Sequence, residues 1–338
     1  MAERSRRAVV VGAGHNGLVC AIVLAAAGMD VTVLEQSASA GGALRSAELT
    51  LPGFVHDLHA AFLPLAAVSP ALARLSLHEH GLEWITPPVA MAHPFEDGSE
   101  IALHRDLAAT AESLERAARG SGRAWRALLE RLLEQREAMV GAVLGRFPPL
   151  APAARLTLAL RRDALELARR LLAPATGLGR ELFDAERPSA WLCGSVGHSD
   201  LPPDAAGSAA IAFGLAYLAH LVGWPLPRGG AGRVTDALLA RLAALGGEVR
   251  CDARVEAIEV RGERVGGVRL HDGERVPARA VVATVGPAPL LRMLPAGTLG
   301  PTATRSLARW RYGLGTFKLD LALAAPVPWS SAAARQAG

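Results

Sequence analysis

The chain has 338 residues, enough for two domains with a substantial core, and 51% hydrophobic against 20% charged residues excludes disorder for most of it. The formal charge of +4 rests almost wholly on arginine, since Lys318 is the only lysine, and aromatic residues make up only 4%. Charge spread over helix faces with so few stacking rings excludes a nucleic-acid surface. Cys20, Cys193 and Cys251 stand far apart with no C-x-x-C, so no thioredoxin-type pair is encoded, and the sparse odd set suits a reducing compartment. Ten histidines form no H-E-x-x-H and no Cys/His cluster, so no metal site is expected.

The first apolar run, "VVVGAGHNGLVCA", predicts a buried strand at 8–11, a turn at 12–17 and a helix over 18–27 closed by Gly28. Residues 31–34 predict a second strand, which makes a β-α-β unit and a parallel sheet. The span from Ala8 to Met29 carries no charge and follows Arg6-Arg7, so its length and flank mimic a membrane span or a twin-arginine signal. Three glycines in a turn register, with His15 and Asn16 between them, do not suit a signal core.

Past "SASAGGALRS", the stretch "LPGFVHDLHAAFLPLAAVSP" mixes turns with scattered apolar residues. "VAMAHPFEDGSEIALHR" predicts a hairpin with Asp97-Gly98 near its turn. Asp106 is placed to cap the helix of "LAATAESLERAA". Apolar residues at helical spacing predict a long amphipathic helix over 123–145, and another over 155–173 after the prolines at 148, 149 and 152. Residues 205–227 are again uncharged but rich in small residues, and read as a buried helix. From the glycine turn at 229–232 the α/β grammar returns with a helix, a strand at 248–251, short strands with glycine turns, a buried strand at 280–283 and a final strand at 315–323. No fixed-period repeat occurs.

The expected fold class is therefore α/β. A Rossmann-like, three-layer domain with a parallel sheet occupies 1–70 and 225–300. It is interrupted at 71–224 by a mostly helical domain with a small antiparallel sheet, to which 301–338 begins to return.

Each glycine of the first turn has a physical task. Gly12 permits the tight turn, Gly14 lets backbone approach a pyrophosphate, and Gly17 lets helix and strand pack closely. The helix start then offers N–H groups and a partial positive charge to phosphate. Glu35 ends the second strand, where its carboxylate can accept hydrogen bonds from a ribose diol, each worth roughly 1.5–3 kcal/mol. The same charge would repel a 2′-phosphate. This fingerprint leaves NAD and FAD both open.

The stretch "VVVGAGHNGLVCAIVLAAAGMDVTVLEQSASAGGALRS" resembles the start of the phytoene-dehydrogenase-like, FAD-dependent amine-oxidase/carotenoid-desaturase superfamily. Within it, "GLEWITPPVAMAHPFEDG", "GWPLPRGGAGRVTDAL" and "YGLGTFKLDLALAAPVPW" resemble the branch of the pyridine nucleotide-disulfide oxidoreductase domain-containing protein 2. The likeness runs through nearly the whole chain and is vaguest over 106–190. It implies FAD held by Gly12, Ala13, Gly14, His15, Asn16, Gly17, Glu35 and Gln36. Gly41 and Gly42, followed by Ala43, Leu44 and Arg45, would wrap the pyrophosphate and ribityl chain. Ala43 stands where relatives often carry arginine. "HDLHAA" matches a segment that passes the isoalloxazine, which nominates His59 and Ala60. Val255 matches a residue whose backbone meets the adenine, and Thr284 one that lies over the dinucleotide; a strand valine and a strand-end cap are their plain alternatives. The missing C-x-x-C excludes disulfide reduction. Relatives continue to a last glycine-rich motif, whereas this sequence stops at "SSAAARQAG", so a C-terminal part is expected to be missing.

No second dinucleotide fingerprint follows a predicted strand, and "RGGAGRV" has no ribose carboxylate after it. The resemblance thus implies an FAD-dependent oxidoreductase of dehydrogenase or desaturase type. Its flavin would take a hydride from an apolar, isoprenoid-like small molecule and be reoxidised by oxygen, a quinone or another carrier. The inserted helices would form the apolar chamber. A flavin-dependent isomerase, a non-catalytic interaction protein with structural FAD and an NAD-dependent dehydrogenase are the alternatives. His59 is nominated as a base or polar contact, and His198 with Asp200 as chamber-lining groups. Asp57 is read as fixing its local turn. Ser195 and Ser199 lack a G-x-S-x-G elbow, which excludes a hydrolase of that kind. The Arg/Leu helices suggest peripheral membrane contact, although one-sided packing with Arg stems over the rim is the preferred reading. The chain is expected in the cytoplasm without a cleaved signal, and nothing in it encodes an oligomeric state.

Overall fold

The computed structural model describes residues 6–313 and 315–337. The domain limits expected at residues 1 and 338 lie outside the described residues. The chain folds as two units: 1–61, 74–83 and 227–322 belong to one, and 62–73, 84–226 and 323–338 to the other.

The first unit is built on a four-stranded parallel sheet in the order Ala280–Ala283, Arg7–Val11, Asp30–Leu34, Glu248–Arg250. Val9 and Val11 alternate with Ala8 and Val10, and all four are buried, as a strand covered on both faces requires. Helices His15–Ala26 and Gly232–Ala244 pack on each other as one layer. The antiparallel strands Val255–Arg261, Arg264–Leu270 and Arg275–Pro277 form the opposite layer, and Val255, Ile258 and Val268 share one core with Val9, Val11 and Leu34. The three-layer Rossmann-like expectation is met. The first helix begins at His15 rather than residue 18, with Gly14 as its N-cap and His15, Asn16 and Gly17 already in its first turn.

The second unit is mostly helical. Its hairpin, Val89–Pro94 with Glu100–His104, packs against Leu107–Ala117, whose N-terminus Asp106 caps through Ala108 N–H at 3.1 Å. Trp125, Trp191, Phe183, Leu129 and Phe213 centre its core. The uncharged stretch forms the buried helix Ser208–Val222. Among the described residues no helix is long and apolar enough to cross a membrane.

Two expected long helices are each broken. Residues 121–144 form Ser121–Glu134 and Arg136–Leu144, and residues 150–172 form Leu150–Leu160 and Arg162–Leu172, with Arg161 at φ +52° between them. The second break changes packing partner: Leu150–Leu160 lies on Arg136–Leu144, and Arg162–Leu172 on Ser208–Val222. Continuous periodicity cannot report such a switch. The strand expected over 315–323 is not formed; among the described residues these pair with no strand, and Phe317, Leu319 and Leu321 are exposed. A strand exists only through a ladder partner, and alternation alone does not supply one.

Candidate dinucleotide site

Four separate segments converge at the C-terminal end of the parallel sheet, where open α/β sheets bind ligands. The first is the turn after Val11. A Cβ on Gly17 would drive into the Gly12 carbonyl oxygen and lie 2.9 Å from Thr284 Oγ1, so helix and strand approach as only glycine allows. The second is the end of the neighbouring strand. Glu35 is buried; its Oε2 accepts from Ala13 N–H at 2.8 Å and its Oε1 from Ser37 N–H at 2.9 Å. Each oxygen keeps lone-pair capacity for a further donor.

The third segment is the second glycine pair. Gly41 N–H donates to the Ala13 carbonyl at 2.8 Å, and Gly14 bridges Gly41 in parallel fashion. Gly42, at φ +57°, lies so close that an added Cβ would sit 3.0 Å from Gly14 Cα. The fourth is Thr284, whose N–H donates to the Val11 carbonyl at 2.9 Å and whose hydroxyl reaches the same oxygen and that of Gly12. Gly14 caps the first helix without a side chain, so backbone alone faces the cradle. Burial lowers the pKa of His15, which favours the neutral imidazole there.

The remaining expected residues take varied places. Asn16 lies in the first turn of the helix, and Gln36 and Ala43 are exposed. Leu44 is buried and its carbonyl accepts from Thr235 Oγ1 at 2.6 Å. Arg45 turns back, with Nε donating to the Gly42 carbonyl at 3.0 Å. Val255 is buried two residues beyond Ala253, whose N–H donates to the Glu35 carbonyl at 2.8 Å. Ala60 is half-buried, whereas His59 is exposed and makes no hydrogen bond among the described residues. His198 belongs to the other unit, where its ring meets Phe62 and Trp224 edge-on at 5.3 and 5.9 Å.

The model of flavin-containing amine oxidoreductases matches residues 17–333. The chain belongs to that family. FAD is accordingly its cofactor. Pyridine nucleotide-disulfide oxidoreductase domain-containing protein 2 of Mus musculus is 28% identical over 316 residues, covering 83% of this chain and 53% of that protein. Hydroxyneurosporene desaturase of Cereibacter sphaeroides is 34% identical over 306 residues, covering 87% and 58%. The chain thus spans somewhat more than half of these relatives. A solved oxidoreductase of Methanosarcina mazei shares the fold, with a TM-score of 0.61 at 18% identity, over 90% of this chain and 64% of that one.

In this amine oxidoreductase family member the cradle has support that local sequence reading misses. Asp57 does not fix its own turn. Its Oδ1 accepts from Ala231 N–H at 2.6 Å, 174 positions away, and from Ser46 Oγ at 2.6 Å, while Ser46 Oγ accepts from Gly232 N–H at 2.9 Å. This pair caps the helix Gly232–Ala244, and Thr235 on that helix holds the Leu44 carbonyl behind the glycine pair. A signal was available: "RGGAGRV" opens a helix with no Ser, Thr, Asp or Asn of its own at the start, which calls for a remote cap.

The helical unit of the same chain holds an apolar cavity of about 420 Å³. Met139, Val143, Leu144, Leu171 and Phe213 line it, with His198 and Tyr217 as its polar-capable rings. Tyr217 donates its hydroxyl to the Leu132 carbonyl at 2.9 Å, and burial pushes its pKa up to about 12, so it stays a neutral donor.

Proposed function

We propose that the first unit is the FAD-binding part of a dehydrogenase or desaturase whose substrate is an apolar, isoprenoid-like small molecule, and that the second unit carries the substrate chamber. One observation supports this most: the glycine pair at 41–42 lies against Gly14 while Glu35 is fixed beside Ala13. Gly41 and Gly42, both at positive φ, thus lie backbone to backbone against Gly14, with a carboxylate fixed beside them.

In this reading Gly12 to Gly17 and the first helix start receive the pyrophosphate, and Glu35 accepts from the ribose diol. Gly41 to Arg45 close over the phosphates, with Thr284 locking the turn beneath them. Val255 backs the adenine end, and the segment of His59 and Ala60 lies toward the ring. When bound, FAD supplies a two-electron hydride acceptor. The protein orients the partners and excludes water. The apolar cavity suits a hydrocarbon, and His198, held by Phe62 and Trp224, offers it a polar contact. Reoxidation falls to oxygen, a quinone or another carrier.

Titrating the protein with FAD tests the cofactor half: a flavin spectrum that stays with the protein on gel filtration is expected, and is lost in Gly14→Val. A C10–C40 isoprenoid series under anaerobic conditions tests the rest. Bleaching of the flavin without NAD(P)H, with a product two mass units lighter, is the expected result. A product of unchanged mass would instead identify an isomerase.

A further inference from the structure

From the edge strand Ala280–Ala283 onward, the first unit carries charge of one sign. Residues 275–319 hold six arginines and Lys318, and no Asp or Glu. Arg275 is engaged by Glu259, and Lys318 by Asp320. Arg292, Arg305, Arg309 and Arg311 are exposed and make no ion pair among the described residues. The helix Pro287–Met293 packs through Leu290 and Met293 on the core that holds Val9 and Val11, and the helix Pro301–Ala308 packs on it in turn. On Val255–Arg261, the strand against which Pro287–Met293 lies, both carboxylates are already occupied, Glu256 by Arg269 and Glu259 by Arg275. Nothing on these packed elements therefore neutralises the four free arginines.

Two rings are interleaved with them. Trp310 and Tyr312 alternate with Arg309 and Arg311 and are 60% and 63% exposed. Tryptophan, tyrosine and arginine are the residue types enriched where proteins grip one another most strongly. Arg305 and Arg309 stand one helical turn apart, which continues the cationic row along one side. The row also abuts the dinucleotide site. An added Cβ on Gly286 would stand 2.7 Å from the Tyr312 hydroxyl, and Gly286 follows Thr284 of the cradle by two residues. A second copy is a poor occupant, because symmetric pairing would set arginine against arginine.

The dehydrogenase reading leaves the electron acceptor open, and free cations bordering the cofactor site favour an anionic one. We propose that Arg292, Arg305, Arg309 and Arg311, with Trp310, form the docking face for an acidic one-electron carrier protein. This rests on the FAD-dependent reading given above. A hydride taken from the substrate brings two electrons and one proton; two carrier molecules in succession accept one electron each, and the proton passes to solvent. The arginines steer the carrier in, and Trp310 anchors it.

Docking is measured on the whole chain without FAD, by fluorescence anisotropy of two labelled, oxidised probes: plastocyanin, an acidic copper carrier, and cytochrome c, a basic haem carrier. Plastocyanin is expected to bind at low salt and to be released as salt rises, while cytochrome c stays free. Arg305→Gln with Arg309→Gln and Arg311→Gln should weaken binding about tenfold, and the matching lysine triple variant should keep most of it. Trp310→Ala should lose about thirtyfold. These side chains are exposed, so unchanged circular dichroism melts are expected. In FAD-loaded protein reduced by light without substrate, plastocyanin should lose its blue colour. The concentration giving half the maximal rate should rise about tenfold in the glutamine variant. The proposal is overturned if plastocyanin stays free at low salt, if the glutamine variant binds like the wild type, or if docked plastocyanin is not reduced. It is equally overturned if an oligothymidylate or phosphatidylglycerol vesicles engage the same arginines more tightly. An FAD-loaded chain that ignores plastocyanin removes this proposal alone, whereas a chain that never retains FAD removes the reading beneath it.

Discussion

The glycine cradle of the first unit and the helical layer of residues 136–172 reach order by opposite routes. The cradle is fixed by backbone: at Gly17 a single added carbon has nowhere to go, and Gly41 and Gly42 hold positive φ. The layer is fixed by side chains on one face only, and Arg162–Leu172 buries no residue fully. Backbone geometry admits one residue type and is therefore specific. One-sided packing admits many sequences and leaves the other side free to take on a second role.

The sharpest way to break that comparison is the same small substitution in both units. Gly17→Ala should destabilise the first unit by about 3 kcal/mol or more and abolish FAD retention, since the methyl meets carbonyl oxygen and not a side chain that can yield. Gly214→Ala, within the helix Ser208–Val222, meets nothing within 4 Å and should stabilise by up to about 1 kcal/mol. Thermal melts with an FAD titration decide it. Equal effects at the two sites would remove the distinction.

Acid should distinguish the units next. His220 is buried between two fixed partners: Trp125 Nε1–H donates to its Nε2 at 3.1 Å, and its Nδ1 lies 3.2 Å from the Arg105 carbonyl. Burial lowers its pKa from 6.5 to about 4. The folded-state value is the lower one, so the unfolded chain takes up the proton first. The stabilisation is complete above pH 6.5 and is lost as pH falls toward 4, by up to roughly 3 kcal/mol. Amide protection factors in residues 208–222, corrected for the intrinsic pH dependence of exchange, should therefore fall between pH 7 and pH 4.5 more than those in residues 15–26. His220→Gln keeps an acceptor for Trp125 and should flatten that difference.

The same contrast governs what is legible in the sequence. "GAGHNG", Glu35 and "AGG" specify conformations and a charge position, and the structure brings them together. The strand at 7–11 is readable because residues 8–11 are covered on both faces and apolar, whereas 280–283, expected to be buried, is apolar but only half-buried at the sheet edge. The breaks at Gln135 and Arg161 are not, because each helix changes partner there and periodicity runs on regardless. The strand expected over 315–323 fails for a related reason: alternation at Phe317, Leu319 and Leu321 is a property of one segment, and pairing is a property of two. Asp57 escapes a local reading because its partner lies far away in sequence, where turn rules do not look.

Asp57 also gives the finest test, since it joins both routes: a side chain that fixes backbone. Asp57→Ala removes the acceptor for Ala231 N–H and for Ser46 Oγ, leaving two donors to find water. Loss of such a cap should cost about 1–2 kcal/mol, less than the losses expected at Gly17 and His220. The helix it caps carries Thr235, whose hydroxyl holds Leu44 behind the glycine pair, so the loss should reach the cradle. FAD affinity should fall by roughly tenfold while the helical unit keeps its exchange pattern. Asp57→Asn retains an acceptor oxygen and should recover most of the affinity. If both variants weaken stability but neither changes FAD binding, the cap supports the fold alone and the cradle is set entirely by its own glycines.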